Sequence, residues 1–306
     1  MKMLKEKVEK IDIGAWRAPQ PNGNMPHGDM PGDKILIGED HIAKANKIFP
    51  VLLGKLAQLS GKKAVVSVFG GSGTGKSEVA SLLTYYLQEA GIGAYVMSGD
   101  NYPRRIPLYN DAERLAVFRS EGLKGLVSSG LYSPEVQKQL SELWETEKDP
   151  APMLAEGNEW LREYQRFGRK ALADYLGTEL EQDYAQVNQI IRDFKSGKEK
   201  IWLKRMGRSE DQRWYDEIDF SNTDVLLIEW THGGNENIEG LDIPVLLNST
   251  PEETREHRRL RARDGKTDSD FTTMVLEIEQ AELDRRAEFA EIIISKSGEL
   301  LRPVMN

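Results

Sequence analysis

The stretch from residue 64 to residue 77 reads Ala64-Val65-Val66-Ser67-Val68-Phe69-Gly70-Gly71-Ser72-Gly73-Thr74-Gly75-Lys76-Ser77, and its last eight residues match G-x-x-x-x-G-K-[ST] in full. Five of the first six residues are apolar, with Ser67 as the exception, as in a buried strand. Apolar side chains at helical spacing follow the motif, namely Val79, Leu82, Leu83, Tyr86 and Leu87. The order strand, glycine-rich turn, helix N-terminus directs backbone N–H groups and a helix dipole at phosphate oxygens. The stretch therefore predicts a nucleotide-phosphate site, the P-loop.

Different residues of this loop are predicted to contact the phosphates and the metal ion in different ways. Gly70, Gly71, Ser72, Gly73, Thr74 and Gly75 would supply the backbone cradle. Lys76 would reach the β- and γ-phosphates, and the hydroxyl of Ser77 would bind Mg²⁺. The alternative interpretation is a glycine-rich β–α turn that binds nothing.

Composition restricts the function classes. The chain has 306 residues, with 41 Lys and Arg against 50 Asp and Glu and a net charge of −9, which argues against a nucleic-acid partner. It has no cysteine, which excludes disulfides, thiolate zinc sites and a cysteine nucleophile. The sequence contains no apolar run long enough for a membrane span. We expect a cytoplasmic protein without a membrane partner, and a homo-oligomer is compatible with the sequence.

Pattern changes along the chain suggest its organisation. Residues 1–38 read as an irregular arm rich in proline and glycine, to which the sequence assigns no function. Residues 110–197 read as an all-helical insertion of the substrate and lid region, because apolar and aromatic stripes recur there at helical spacing. Residues 39–109 and 198–306 form the predicted core.

Within the core, strands alternate with helices. Predicted strands after the first lie at 94–97, 200–204, 224–229, 243–247 and 292–294, and predicted helices lie at 39–59, 250–263 and 271–288. This alternation predicts an α/β fold with a doubly wound parallel sheet.

Two acidic residues end predicted strands. Asp100 follows the second strand in Ser98-Gly99-Asp100-Asn101, and Glu229 ends the strand 224–229. Ligands of parallel sheets bind outside the carboxyl ends of the strands. Asp100 would accept the proton of an attacking hydroxyl and approach Mg²⁺, and Glu229 would hold the metal. For Asp100 an N-cap or Asx-turn is the structural alternative.

An arginine-rich segment, residues 257–264, follows later in the chain. Clustered guanidinium groups in an acidic protein suit a mobile lid that neutralises a transferring phosphoryl group and excludes water. The alternative is a solvated helix face that pairs with Glu252, Glu253 and Glu256.

Four blocks in this order, residues 70–77, 100–102, 223–229 and 259–264, resemble the uridine kinase and phosphoribulokinase family of P-loop kinases. The resemblance implies a five-stranded parallel sheet, ATP with Mg²⁺, and transfer of the γ-phosphoryl group to a hydroxyl of a small metabolite. It implies that Asp100 is the base, Glu229 the Walker-B acid, and Arg259 and Arg263 the lid arginines. Residues 229–233 are similar to the Glu-Gly-x-His segment of the family, with Trp230 in place of glycine.

Two further resemblances concern the acceptor. Residues 98–101 are similar to the Asp-Gly-Asp-Asn block of adenylylsulfate kinases, which lack an arginine-rich lid of this type. The P-loop, the long insertion and the arm resemble the sucrose-kinase module of α-galactosidase/sucrose kinases, which implies a disaccharide acceptor.

Several side chains are candidates for acceptor contacts. Asn101 and Tyr102 follow the proposed base, and Arg104 and Arg105 come directly after them. Surface solvation is the alternative for both arginines, and His232 is equally explained as a structural histidine or as an acceptor contact. Aromatic faces for sugar stacking are available at Tyr102, Tyr109, Trp202 and Trp214.

The leading hypothesis is an ATP-dependent kinase of a small neutral metabolite, most readily a sugar. A uridine-type nucleoside kinase or an adenylylsulfate kinase is the nearest alternative. A nucleotide-dependent regulatory ATPase or switch is the alternative from another class. The guanine-reading Asn-Lys-x-Asp pattern is missing, because Asn46-Lys47 precedes the P-loop and continues Ile48-Phe49.

Overall fold

The computed structural model describes residues 4–21, 25–32, 34–256, 258 and 269–301. Its helices are α1 (Leu4–Val8), α2 (Glu39–Leu56), α3 (Lys76–Glu89), α4 (Pro107–Ser128), α5 (Pro134–Glu145), α6 (Pro152–Ala155), α7 (Glu159–Ala173), α8 (Tyr184–Lys195) and α9 (Asp270–Arg286). Its strands are β1 (Ala64–Gly70), β2 (Ala94–Ser98), β3 (Lys200–Met206), β4 (Arg213–Asp219), β5 (Val225–Glu229), β6 (Ile243–Asn248) and β7 (Ile292–Ser295). None of the helices in these ranges combines the length and the apolar character that a membrane crossing requires.

Five strands form one parallel sheet in the order β2-β5-β1-β6-β7. The strand that carries the P-loop lies at its centre, between β5 and β6. The predicted α/β fold with a five-stranded parallel sheet is therefore confirmed. The strand ends differ from the sequence prediction by about one residue, which is the usual uncertainty of such boundaries.

Alternate residues of the central strands face two different cores, as the two-residue period of a strand requires. Val66 and Val68 of β1 pack with α1, α2 and α3 on one face of the sheet. Val65 packs on the opposite face with side chains of α8 and β3. Both faces are covered, so β1 and β5 are buried along their whole length and are mostly apolar.

The strand at residues 200–204 is a correction to the sequence analysis, which grouped it with the strands of the main sheet. β3 pairs antiparallel with β4 in a separate two-stranded sheet. β4 was missed because its sequence, Arg213-Trp214-Tyr215-Asp216-Glu217-Ile218-Asp219, is polar and largely exposed. β4 therefore lacks the apolar alternation that predicted β3.

Helices α4 to α8 lie between Pro107 and Lys195, and α4 and α7 approach each other closely. Glycines allow this close approach, because a side chain in their place would clash. A Cβ on Gly125 would lie 2.3 Å from the Phe167 ring, and a Cβ on Gly168 would lie 2.5 Å from the Phe118 carbonyl oxygen. Met274 and Ile278 of α9 pack into the same apolar cluster. The helix that follows the arginine-rich segment therefore joins the core to these helices.

Candidate active site

The P-loop has the backbone geometry that its glycines predict. Gly70, Gly73 and Gly75 have φ values of 153°, 77° and 90°, which disfavour residues with a Cβ. A Cβ on Gly70 would also lie 2.5 Å from the carbonyl oxygen of Leu247. Gly75 is the N-cap of α3, and the Nζ of Lys76 donates to the Gly71 carbonyl at 3.0 Å. The N-terminus of α3 and the Lys76 side chain therefore lie together at the loop.

Glu229 connects the P-loop to the end of the neighbouring strand. The register of the sheet sets Glu229 beside both Val68 and Ser98. Its carboxylate accepts from Ser77 Oγ at 3.2 Å and from Ser98 Oγ at 2.7 Å. The side chain is buried, so this arrangement joins three residues that are separated along the chain into one polar centre.

Asp100 lies in a 3-10 turn, Gly99–Asn101, immediately after β2. Its side chain is exposed, and its charge acts on the buried carboxyl of Glu279, as does that of Lys76. The turn packs directly against the Trp230 indole: a Cβ added to Gly99 would lie only 2.0 Å from Trp230 Cγ. Trp230, the residue that departs from the family pattern, therefore forms the floor under the proposed base.

Asn101 and Tyr102 are both fully buried. The amide nitrogen of the Asn101 side chain donates to Asp29 Oδ1 at 2.9 Å and to the Ser98 carbonyl, and its oxygen accepts from the Met206 N–H at 2.9 Å. Tyr102 packs in the apolar cluster between the sheet and α8. Their predicted acceptor contacts remain untested, and the observed contacts hold the turn of Asp100 in its shape.

Arg104 and Arg105 contact the segment before α8. Arg104 Nε donates to the Glu179 carbonyl at 2.6 Å, and Arg105 donates to Tyr175 Oη at 3.2 Å and pairs with Glu113 at 3.4 Å. These contacts fasten the start of α4 to residues 175–181. Of the proposed stacking residues, Tyr109, Trp202 and Trp214 are exposed.

His232 is buried beside a group of charged residues from four parts of the chain. Arg114 of α4 pairs with Glu181 at 2.6 Å and with Glu279 of α9 at 3.6 Å. Burial lowers the pKa of His232 to about 4, and the positive charges of Arg114 and Lys76 act in the same direction against the opposing charge of Glu181. His232 is therefore neutral at pH 7.

The two carboxyl groups of this cluster differ in their pKa. Burial would raise the pKa of Glu181, but Arg114, His232 and the Gly177 N–H hold it below its usual range. Burial raises the pKa of Glu279, against the charge of Arg114 and with the charge of Glu181. Glu279 also lines a cavity with Leu176, Thr231, His232, Glu282, Leu283 and Arg286.

The predicted lid arginines, Arg259 and Arg263, lie outside the described residues. Arg258 is described and lies over the P-loop: a Cβ on Gly73 would lie 3.1 Å from Arg258 Cγ. Its guanidinium donates to the Pro251 carbonyl at 2.8 Å and to Thr254 Oγ1 at 2.6 Å. The start of the arginine-rich segment thus packs against the phosphate cradle.

The donors at the P-loop fit a Mg·ATP complex. Mg²⁺ takes oxygen ligands and is usually held by one or two carboxylates together with substrate phosphates. Ser77 Oγ and the Glu229 carboxylate are 3.2 Å apart at the end of the cradle. These two groups would hold the ion, and Lys76 with the loop N–H groups would hold the phosphates.

Several residues near this candidate site were not predicted from the sequence. Arg114, Glu181 and Glu279 lie in helices and loops whose amphipathic pattern does not distinguish a functional charge from a solvated one. Asp29 of the arm was missed because a single acid in an irregular segment carries no pattern. Arg258 was part of a recognised segment, and the two arginines chosen instead came from the family resemblance.

No protein-family model matches the chain. The bifunctional alpha-galactosidase/sucrose kinase of Mediterraneibacter gnavus is 35% identical to it over 236 residues, which are 77% of this chain and 20% of that protein. The chain therefore spans about one fifth of the length of this curated relative. The identity confirms the resemblance to α-galactosidase/sucrose kinases.

Solved structures of kinases are also similar to the chain. A possible uridine kinase from Bacillus stearothermophilus is 15% identical with a TM-score of 0.44, and the match covers 82% of this chain and 96% of that chain. Phosphoribulokinase from Rhodobacter spheroides is 13% identical with a TM-score of 0.44, over 76% of this chain and 70% of that chain. The fold assignment itself rests on the strand order and the P-loop geometry.

Proposed function

We propose that this chain is an ATP-dependent kinase that transfers the γ-phosphoryl group to a hydroxyl of a neutral sugar. The observation that carries the proposal is the position of Glu229, whose carboxylate accepts from Ser77 of the P-loop and from Ser98 beside the turn of Asp100. A metal-binding acid thereby connects the phosphate cradle to a candidate base. The identity to a sucrose kinase supports the same reaction class.

In the proposed reaction, Lys76 and the loop N–H groups hold the triphosphate in line with the acceptor. Asp100 orients the acceptor hydroxyl and takes its proton as the new oxygen–phosphorus bond forms, and the bond from the γ-phosphorus to the bridging oxygen of ADP breaks. Mg²⁺, when bound, neutralises charge on the phosphate oxygens. Ser77 and Glu229 would hold that ion, and the arginine-rich segment 257–264, with Arg259 and Arg263, would neutralise charge from the other side.

The charges around the cavity of Glu279 favour a neutral acceptor. The cations there are already paired: Arg114 with Glu181 and Glu279, and Arg286 with Glu282 at 3.1 Å and Glu236 at 3.3 Å. An anionic acceptor would have to displace one of these carboxylates, which is costly in a buried site. Hydroxyl groups, in contrast, both donate and accept, and they match carboxyl and guanidinium partners.

This charge pattern supports a sugar or a nucleoside over a sulfonucleotide. Sucrose as the acceptor is a proposal from the relative, because the chain covers only 20% of that protein. We also propose that the matched part is its kinase portion, since the P-loop lies in this chain. Residues 110–197 would contribute the acceptor side, as Arg114 and Glu181 come from that range. A cytoplasmic location without nucleic-acid or membrane partners completes the proposal.

ADP release with Mg·ATP, measured in the presence and absence of acceptors, tests the function. The panel contains sucrose, fructose, glucose, uridine, ribulose 5-phosphate and adenylylsulfate. We expect release that depends on a neutral sugar and yields a phosphorylated product by mass spectrometry. Slow release that no acceptor changes would support a regulatory ATPase instead, and preference for adenylylsulfate or the sugar phosphate would contradict the neutral acceptor.

A further inference from the structure

Within the predicted irregular arm, residues Leu4–Val8 form the helix α1. The described residues 12–21 and 25–32 of the arm run across α3 to the carboxyl edge of the sheet. Trp16 packs on Tyr86 with ring centroids 5.4 Å apart. Further along, Ser81 Oγ donates to the carbonyl of Pro26. The arm is therefore fastened to the helix that begins at the P-loop before it reaches residue 29.

Asp29 accepts hydrogen bonds from four donors at the end of the arm. Its Oδ1 accepts from the Ser98 N–H at 2.8 Å and from Asn101 Nδ2 at 2.9 Å. Its Oδ2 accepts from Tyr95 Oη at 2.9 Å and from Arg205 at 2.8 Å. The side chain is 9% exposed. Burial raises the pKa of Asp29, and Arg205 and the Ser98 N–H oppose that rise.

Two of these donors flank the proposed base. Ser98 and Asn101 are the residues on either side of the dipeptide Gly99-Asp100. Asp29 Oδ1 accepts hydrogen bonds from both Ser98 and Asn101. This one oxygen therefore connects the two ends of the turn that contains Asp100. A charge-assisted hydrogen bond of this length is stronger than a neutral one.

The arm also reaches the other acid of the site. A Cβ on Gly28 would lie 3.3 Å from Glu229 Oε1 and 3.5 Å from Ser98 Cβ. The hairpin joins at the same place, because the N–H of Met206 donates to the side chain of Asn101. Arm, turn and hairpin therefore meet in one polar junction beside the metal-binding carboxylate.

We propose that Asp29 is a positioning residue for phosphoryl transfer, which fixes the turn 98–101 so that Asp100 meets the acceptor hydroxyl. This inference rests on the proposed function. If Asp29 only stabilised the fold, it would not need to contact both Ser98 and Asn101, the residues on either side of Gly99 and the exposed Asp100. Misplacement of a catalytic group by about 1 Å costs on the order of 100-fold in rate.

Asp29→Asn tests the proposal, since asparagine has the same shape but offers one acceptor oxygen in place of two. We expect kcat for sugar phosphorylation to fall by about 10- to 100-fold, with ATP affinity unchanged within about threefold. The ratio of transfer to the sugar over hydrolysis by water should fall as well. Asp12→Asn is the matched control, because Asp12 is an exposed acid of the same arm that accepts from Gly14 and Ala15 in its own turn, and we expect wild-type kinetics.

A double-mutant cycle separates positioning from stabilisation. If Asp29 acts through Asp100, adding Asp29→Asn to Asp100→Asn lowers kcat no further. An equal loss in both backgrounds, or a parallel loss of ATP affinity, overturns the proposal.

Tyr95→Phe provides a second test if Asp29→Asn does not fold, because it removes one of the four donors to Asp29. We expect Tyr95→Phe to lower kcat without weakening ATP binding. Wild-type kinetics for this variant would overturn the inference. A wild-type enzyme that phosphorylates no acceptor would instead remove the proposed function itself.

Discussion

The proposed phosphate side and the proposed acceptor side of the site are built in opposite ways. The phosphate side consists of consecutive residues, 70–77, whose backbone shape follows from their glycines. The acceptor side brings together residues that are distant in the chain, such as Asp29 with Asn101 and Arg114 with Glu181 and Glu279. One side is therefore encoded locally and the other by the tertiary fold. A local motif tolerates changes elsewhere, whereas a non-local junction depends on every element that meets there.

Asp100 lies at the border of the two sides, and its substitution should have the largest effect. Asp100→Asn keeps the size of the side chain but removes the base. We expect kcat for phosphoryl transfer to fall by about 10²- to 10⁴-fold, because the acceptor hydroxyl loses its proton acceptor. ATP affinity, measured by isothermal titration calorimetry, should change little, because the P-loop is untouched.

Asp174→Asn is the control for this substitution, as it removes an exposed carboxylate that pairs with Lys170 at a helix end. It should leave both kcat and ATP affinity at wild-type values. Loss of ATP affinity in Asp100→Asn in proportion to kcat would assign Asp100 to the phosphate side instead.

Arg114→Met tests how strongly the acceptor side depends on its ion pairs. The substitution leaves Glu181, whose side chain is fully buried, without its cation. We expect the free energy of unfolding to fall by about 3–5 kcal/mol, because an uncompensated charge stays in a buried site. Chemical denaturation measured by tryptophan fluorescence reports this change.

The contrast is with Arg166→Met, which breaks an exposed pair between Arg166 and Glu163 on α7. An exposed pair of this kind contributes little to stability, because solvent screens its charges. Equal effects of the two substitutions would mean that the cluster around Arg114 is not a buried network.

The sequence sufficed to predict the parallel sheet and the P-loop because both are repetitive or local. Strands buried on two faces are continuous apolar runs, as at 225–228, and Gly70, Gly73 and Gly75 of the loop sit where φ is positive. β4 was missed because an exposed hairpin strand carries neither signal. The helical spacing of apolar residues within 110–197 also predicted helices there, and Tyr164 and Leu172 are buried in one of them, α7.

The acceptor side could not be predicted in the same way. The contact of Asp29 with Ser98 spans 69 positions and that of Arg205 with Asp29 spans 176, and no spacing rule connects residues so far apart. Trp230 was noticed only as a departure from a family pattern. Its role as the floor under Gly99 emerges from the packing of two strand ends.

Gly99→Ala probes this contact between the two sides. The added Cβ would lie 2.0 Å from Trp230 Cγ, so either the turn or the indole must shift. Overpacking of this kind costs about 3 kcal/mol of unfolding free energy, and the displaced turn should lower kcat more than ATP affinity. Gly54→Ala is the matched control, because a Cβ there meets nothing within 4 Å in α2 and should stabilise the protein by about 0.5–1 kcal/mol. Unchanged stability in Gly99→Ala would mean that Trp230 does not support the turn.

His232 gives the smallest expected effect, and it appears only on acidification. Burial lowers the pKa of His232 to about 4 in the folded protein, against about 6.5 in the unfolded chain. Between these values the unfolded chain binds the extra proton, so the free energy of unfolding falls as the pH falls. From pH 7 to pH 5 the loss due to this group is about 2 kcal/mol.

His232→Asn removes this titration while it keeps a polar side chain beside Glu181, Arg114, Arg286 and Lys76. Glu181 and Glu279 titrate in both proteins, so the difference between the two pH profiles isolates the histidine. The unfolding free energy of the variant should therefore decline less steeply between pH 7 and pH 5, as followed by urea denaturation at each pH. Parallel profiles would show that His232 binds its proton as readily in the folded protein as in the unfolded chain. The charge of His232 at pH 5 would then have to be matched, like that of Arg114, by the two glutamates of the cluster.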